Sequence, residues 1–374
     1  MNRRLLVVTN DFPPRQGGIQ TFLYELLRRL PPEQLAVYAS GYPGSAAFDA
    51  QLSFPVRRHP TGLLVPAPAA RRRVLRTRAE FGATSIWFGA AAPLGLLADP
   101  LRAAGAERLV ATTHGHEVGW ALLPGARQLL RRIATGVDVL TYLGEYTRRR
   151  LAAVVGDRCE LRRLTPGVDL DTFNPTVSGA GVRERYRLTD RPVVVCVSRL
   201  VPRKGQDVLI RALPAVRDQV PGACLLIVGG GSYQQRLRQL AERAGVADDV
   251  VFTGPVRYPE LPQHFAAGDV FAMPCRTRRF GLDVEGLGMV FLEASATGLP
   301  VLAGDSGGAP DAVRDGVTGE VVAGGKVATV ADRLIALLSD RPRAEAMGRA
   351  GRQWVEQAWR WDSSADRVAE LLQL

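Results

Sequence analysis

The chain reads as an α/β protein of two doubly wound domains, each a parallel sheet with helices on both faces. Three observations predict this. The 374 residues, 46% of them apolar, suffice for two cores of ordinary size. Short apolar runs of strand length alternate with helical stretches along the chain, the pattern of repeated βαβ units. The alternation also starts afresh after "TPGVDLDTFNP", residues 165–175, which marks a junction.

Taken in order, "RRLLVVTNDFPP" opens as a buried strand, Leu5 to Thr9, closed by a Pro-Pro turn. "RQGGIQTFLYELLRRL" continues as a glycine loop running into an amphipathic helix. "VPAPAARRRVLRTRAEF" suits a short amphipathic helix that sets Val74 and Leu75 beside Arg71, Arg72, Arg73, Arg76 and Arg78. Strand and helix alternate again at "SIWFGAA", "RLVATTHGHE" and "VDVLTYLGEYTRRRLAA". In the second half "RPVVVCVSRL", "ACLLIVGGGS", "DVVFTGPV", "DVFAMPC" and "LPVLAGDS" read as strands, and "GQDVLIRALPAV" and "YQQRLRQLAERAG" as helices. The final "AGRQWVEQAWRWDSSADRVAELLQL" is helical by period, and its tryptophans call for a large packing partner. The expected division is 1–168, 169–352, and a C-terminal helix, 353–374, crossing back to the first domain. In open parallel sheets ligands bind beyond the C-terminal strand ends. Two such domains with facing strand ends would enclose one interdomain cleft, and every unusual loop below follows a strand.

Composition narrows the function classes. No charged segment followed by an apolar run marks a secretory signal, and no stretch of about 18 apolar residues offers a membrane span, so a cytoplasmic protein is expected. Cys159, Cys196, Cys224 and Cys275 are widely spaced and read as reduced and structural. Residues 1–165 hold 23 arginines against 12 acids, whereas the remainder holds 25 cations against 25 acids. The whole net charge of +11 thus falls in the first half. That asymmetry favours an anionic surface as partner over a merely solvated face. Nucleic acid is not expected, because no recognised motif with interleaved aromatics accompanies the charge. A dinucleotide-dependent oxidoreductase is disfavoured too, since neither half has G-x-G-x-x-G after its first strand with an acid about 20 residues on.

The loops carry the chemistry. "SRLVPRKGQD" follows a strand and brings Arg199, Arg203 and Lys204 to the start of a helix. Only two lysines occur, Lys204 and Lys326, against 46 arginines, so a lysine here is a compact point charge in an otherwise arginine-based chain. Arg199 and Lys204 across a turn suit a diphosphate; a stray surface lysine is the plainer reading, and the better one for Lys326. In "EGLGMVFLEASATG" a helix should begin near Gly288 or Met289, its free N–H groups and dipole favouring an anion. Gly286 and Gly288 permit close backbone approach. Glu285 precedes this helix and Glu293 lies about one turn inside it. The two carboxylates can hold sugar and ribose hydroxyls, act as a general acid and base, or simply be exposed. In the first half, Gly17 and Gly18 allow backbone contact with phosphate, a weak signal by itself. His114 and His116 follow a strand; zinc lacks a third ligand at suitable spacing, and hydrogen bonding to a neutral polar substrate is the other reading.

Gly-Gly after the first strand, a histidine after a middle strand, R-x4-K and E-x7-E together resemble the GT4 glycosyltransferases of GT-B fold, over essentially the whole chain. "VVTNDFPPRQGGIQ", "IWFGAAAPL", "THGHEVGW", "SRLVPRKGQD" and "GLDVEGLG" look most like the members that mannosylate phosphatidylinositol mannosides. The resemblance implies two Rossmann-like domains and α-(1→6) mannosyl transfer, with retention, from GDP-mannose to the inositol O6 of phosphatidylinositol monomannoside. Another glycolipid acceptor is the alternative. It implies no cofactor and no bound metal, and a peripheral location at the inner face of the plasma membrane. By position, Arg199 and Lys204 would neutralise the diphosphate. Glu285, with the Gly286 to Val290 backbone including Met289, would bind the mannose hydroxyls at C3 and C4, and Glu293 the ribose. His114 would meet the mannose O6, Gly17 and Gly18 the β-phosphate, and Val256 and Arg257 the guanine. Front-face displacement is favoured, the leaving phosphate oxygen taking the acceptor proton, with Asp11 as an alternative base. One departure stands out: Arg279 and Phe280 occupy places where the resemblance leads one to expect glycines.

Overall fold

The computed structural model describes residues 3–115 and 117–374. These form two compact units, one of residues up to Gly167 together with Trp361–Leu374, the other of Val168–Arg360.

The first unit is built on strands β1 (Leu5–Thr9), β2 (Leu35–Ala39), β3 (Val56–Arg58), β4 (Ser85–Phe88), β5 (Arg108–Thr112), β6 (Val139–Tyr142) and β7 (Glu160–Arg163). They pair in parallel in the order β3-β2-β1-β4-β5-β6-β7. β1 and β2 are buried along their whole length, which is why they read as unbroken apolar runs rather than as alternation. The polar β7, "ELRR", lies at the sheet edge, where charged side chains stay in water and discourage further pairing. The order reverses between β1 and β4, so the loops after these strands flank a topological switch point.

The second unit repeats the plan with β8 (Val193–Val197), β9 (Cys224–Val228), β10 (Val250–Gly254), β11 (Val270–Met273), β12 (Val301–Gly304) and β13 (Gly319–Val322). Their order is β10-β9-β8-β11-β12-β13, all parallel, with the reversal between β8 and β11. The loops after β8 and β11 are those bearing Lys204 and Glu285.

Two expectations need correction. The C-terminal segment is not one helix: Arg341–Ala358 ends before a bridge between Val168 and Arg360, and a second helix, Trp361–Leu372, follows. The first of these belongs to the second unit, where Arg352 donates to the carbonyls of Phe173 and Ala296 at 2.8 and 3.0 Å. The second helix packs on the first unit. Ser85 Oγ and Arg108 Nε donate to the carbonyls of Leu372 and Leu371, both at 2.8 Å, and Trp361 meets Phe22 edge to face. The other correction concerns the basic helix, Pro68–Phe81. Val74 is buried and Leu75 packs against the unit's own core, so neither can enter a bilayer. Arg71, Arg72, Arg73 and Arg76 are exposed, but Arg76 is paired with Glu80 at 2.7 Å, which leaves the first three as the open charges of the face.

Candidate functional site

The site of the second unit is assembled at its switch point by contacts between loops. After β8 the chain makes a tight turn, Pro202–Lys204, and passes through Gly205 with φ 81° into the helix Gln206–Gln219. A Cβ at Gly205 would lie 2.1 Å from the Pro274 carbonyl, so only glycine lets the β8 loop press on the loop after β11. The Arg276 amide donates to the Arg203 carbonyl at 2.8 Å and stitches the two together. Gln206 Nε2 holds the β8 loop from beneath, donating to Ser198 Oγ and the Arg199 carbonyl at 2.8 and 3.0 Å.

This packing buries Lys204 against Glu285, with Nζ 2.7 Å from Oε2. Arg203 Nε is 3.7 Å from the same oxygen, and Arg203 Nη1 reaches Asp283 at 3.4 Å. Glu285 Oε2 faces both cations, whereas Oε1 accepts no hydrogen bond among the described residues and remains for hydroxyl donors. The second glycine loop positions the Glu285 backbone: its amide donates to Ser306 Oγ at 3.2 Å, and its carbonyl accepts from Gly308 at 2.9 Å. Gly307, at φ 58°, passes so close that a Cβ would sit 2.1 Å from that carbonyl.

The helix Met289–Ala296 starts immediately after Gly288, as the glycines predicted, and Gly286, Met289 and Val290 surround its N-terminus. Glu293 lies inside the helix and is buried; its carboxylate makes no ion pair among the described residues. Burial without a countercharge pushes it up to about 7. Arg199 is exposed, and its guanidinium likewise has no ion pair among the described residues. Val256 and Arg257 follow β10, two strands from β8, and Arg257 is tied to Glu260. Burial pushes the Cys196 and Cys275 thiols up to about 12, so neither offers a thiolate nucleophile near neutral pH.

In the first unit the residues of interest lie around the other switch point. Gly17 and Gly18 are exposed at the start of the helix Gly18–Leu27. Asp11 Oδ1 accepts from Gln20 Nε2 at 2.8 Å. His114, after β5, has Nε2 2.7 Å from the Gly89 carbonyl, which makes that nitrogen the protonated donor. Its ring meets Phe22 edge to face at 5.2 Å, so the histidine packs on the helix that the glycine pair opens. The His114 amide donates to Glu117 Oε2 at 2.9 Å. His116 lies outside the described residues.

Sequence reasoning passed over several groups. Gly229 and Gly231, after β9, press on the carbonyls of Ser198 and Leu200, and the "VGGGS" run after a strand was the available signal. Gln206 and Ser306 carried none, since each acts only through a loop brought to it by the sheet order.

Arg278 and Asp283 exchange both backbone hydrogen bonds, at 2.9 and 3.2 Å, and form the base of a small hairpin. Its tip runs Arg279 at φ 49°, Phe280 at φ 55° and Gly281 at φ 92°, three successive left-handed residues. Glycine is the natural occupant of such backbone, and a side chain there costs on the order of 1 kcal/mol. Phe280 is fully exposed and buries nothing in return. Phe280→Gly is therefore expected to hold or raise the unfolding midpoint in a denaturant titration; a clear loss of stability would mean that the ring packs somewhere in solution.

Residues 182–354 match the family model of the group 1 glycosyl transferases, and residues 16–172 that of Glycosyltransferase Family 4. The chain is 55% identical over 376 residues to the GDP-mannose-dependent alpha-(1-6)-phosphatidylinositol monomannoside mannosyltransferase of Mycobacterium tuberculosis, covering 99% of this chain and 98% of that one. It is 47% identical to a Corynebacterium glutamicum relative named for the monoacylated form of that acceptor, covering 100% and 98%. Among solved structures, HepE of Anabaena in complex with UDP superposes with a TM-score of 0.83 over 99% of both chains at 21% identity, which shows a shared fold.

Proposed function

The chain belongs to the GDP-mannose-dependent α-(1-6)-phosphatidylinositol monomannoside mannosyltransferases of glycosyltransferase family 4, with the GT-B fold, and we propose that it catalyses the reaction for which they are named. Mannose passes from GDP-mannose to the inositol O6 of phosphatidylinositol monomannoside, with retention, to give the dimannoside. The observation that carries the reading beyond relatedness is the buried Lys204–Glu285 pair at the head of the Met289–Ala296 helix. A cation, a carboxylate with unspent acceptor directions and free helix N–H groups converge there, the complement of a sugar diphosphate.

In this reading Lys204 and Arg199 neutralise the diphosphate and stabilise the departing GDP. Glu285 and the Gly286, Gly288, Met289 and Val290 backbone orient the mannose, and Glu293 takes the ribose hydroxyls. Val256 and Arg257 border the guanine. Gly17 and Gly18 serve the β-phosphate through their backbone, and His114 the mannose O6. The leaving phosphate oxygen takes the acceptor proton on the front face; Asp11, held by Gln20, is the alternative base. No step requires a cofactor. Mass spectrometry of the product from GDP-mannose and phosphatidylinositol monomannoside should show the gain of one hexose. The Corynebacterium relative's name motivates a second arm with monoacylated acceptor. Turnover of some other glycolipid alone would replace the acceptor assignment.

The acceptor is a lipid, and no helix among the described residues is long and apolar enough to cross a membrane. We infer peripheral attachment to the anionic inner face of the plasma membrane through the exposed arginines of the Pro68–Phe81 helix. Each basic residue near such a surface contributes about 1 kcal/mol, acting within a Debye length. Since Val74 and Leu75 face the core, the contact is electrostatic and should be abolished by salt. Changing Arg71, Arg72 and Arg73 to Gln is expected to reduce sedimentation with anionic liposomes and to raise the apparent KM for vesicle-borne acceptor, with GDP affinity unchanged. Sedimentation equal to wild type at low salt would remove this helix from the contact.

A further inference from the structure

We propose that the hairpin based on Arg278 and Asp283 is a bilayer-contacting finger, which sets Phe280 and Leu282 into the headgroup boundary of an anionic membrane and Arg279 on a lipid phosphate. This rests on the reading above that the acceptor is a membrane lipid. Phe280 has 105% of its reference surface exposed and Leu282 49%, two residues apart in the same hairpin. Single exposed apolar residues are ordinary on a soluble surface. Here, however, the ring is held out by left-handed backbone at Arg279 and Phe280, where a glycine would be less strained. Residues held in such backbone cluster at active sites, ligand clamps and switch regions, which marks the tip as more than an ordinary turn.

The finger is braced rather than loose. Asp283 faces Arg203 at 3.4 Å and Arg278 at 3.8 Å, and Arg276 is anchored to Asp207 at 2.9 Å. The one acid of the hairpin is thereby spent at its base, while Arg279 at the tip has no ion pair among the described residues. The tip thus offers an unneutralised guanidinium beside an aromatic ring and a leucine. That combination suits a membrane interface, where the guanidinium meets phosphate and the apolar groups enter the acyl boundary. A platform for stacking one sugar would need only one face of the ring free, whereas Phe280 is open on all sides, as an extended surface requires. Local charge agrees: residues 276–283 hold three arginines, Arg276, Arg278 and Arg279, against the single acid Asp283, and an anionic bilayer is the complement of that surplus. The base of the finger runs through Asp283 into Glu285, so anchoring the tip restrains the loop that presents Glu285 and favours turnover at the membrane.

Phe280→Trp in the full chain tests the contact directly. Vesicles containing phosphatidylinositol should shift its emission to the blue, and brominated acyl chains should quench it beyond the quenching of the wild-type tryptophans. The double variant Phe280→Ser, Leu282→Ser should raise the KM for vesicle-borne acceptor by roughly tenfold, leaving GDP affinity and transfer to a deacylated, water-soluble acceptor unchanged. Emission from Trp at 280 that ignores bilayers, or that responds only to micelles of the acceptor itself, overturns the proposal. Absence of mannosyl transfer by the wild-type protein would instead strike the functional reading, and the emission measurement is independent of it.

Discussion

Lys204→Ala should lower kcat by roughly 10²- to 10³-fold, the scale on which loss of one preorganised charge destabilises a transition state. The diphosphate gains a further negative charge as GDP departs, and Lys204 is the compact buried cation of the site. The substitution has a second effect that its geometry dictates. Nζ lies 2.7 Å from Glu285 Oε2, so removing it leaves a buried carboxylate supported only by Arg203 at 3.7 Å. Breaking such a pair costs about 3–5 kcal/mol when no other charge helps, and the nearby guanidinium places the expected loss at or below the lower end. The double variant Lys204→Ala, Glu285→Gln removes the orphaned charge. It should therefore regain much of the thermal stability and none of the turnover. Measuring unfolding and kcat on both variants separates the two roles. A folded Lys204→Ala enzyme with near-normal kcat would make this lysine structural only.

Glu293 and Glu285 are expected to divide donor binding between nucleotide and sugar. Burial raises the Glu293 carboxyl from its ordinary 4.5 to about 7. Between these values the folded protein retains a proton that the unfolded chain has released. The associated stability is complete below pH 4.5 and is lost as pH rises to about 7. Glu293→Gln keeps the shape without the charge, so above pH 7 the variant should exceed wild type by up to about 3 kcal/mol. The same change should weaken GDP roughly 10- to 100-fold at pH 8, because a hydrogen bond to a charged acceptor contributes about 1.5–3 kcal/mol. Wild-type GDP affinity should rise with pH through about 7, and the variant's should not. Glu285→Gln, by contrast, should depress mannosyl transfer far more than GDP affinity. Titration calorimetry across pH on both variants decides the matter; equal losses of GDP affinity would reject the division.

The strained tip at Arg279 and Phe280 shows how far sequence reasoning reaches. The two residues stood out against the glycines that the family resemblance led one to expect. Why glycine belongs there became visible only with φ values of 49° and 55°. Val74 and Leu75 show the opposite case. Their neighbours Arg71 to Arg73 suggested an amphipathic, membrane-facing helix, yet an amphipathic helix has one apolar face, and the unit's own core occupies it. Periodicity reports that such a face exists and carries no information on what covers it.

Local information determined the α/β class and the order of strand and helix, because apolar runs, glycine turns and helical periods are properties of neighbouring residues. It also singled out Arg199, Lys204, Glu285 and Glu293, since a rare lysine and a glycine-framed carboxylate are unusual by type alone. Strand order was beyond its reach. The sheet sequence β10-β9-β8-β11-β12-β13 sets β8 beside β11, and only that adjacency brings Lys204 within 2.7 Å of Glu285. Nothing in either segment encodes the other as its neighbour. The choice is made by the packing of the whole sheet, which places two distant loops on either side of one reversal and buries their opposite charges together.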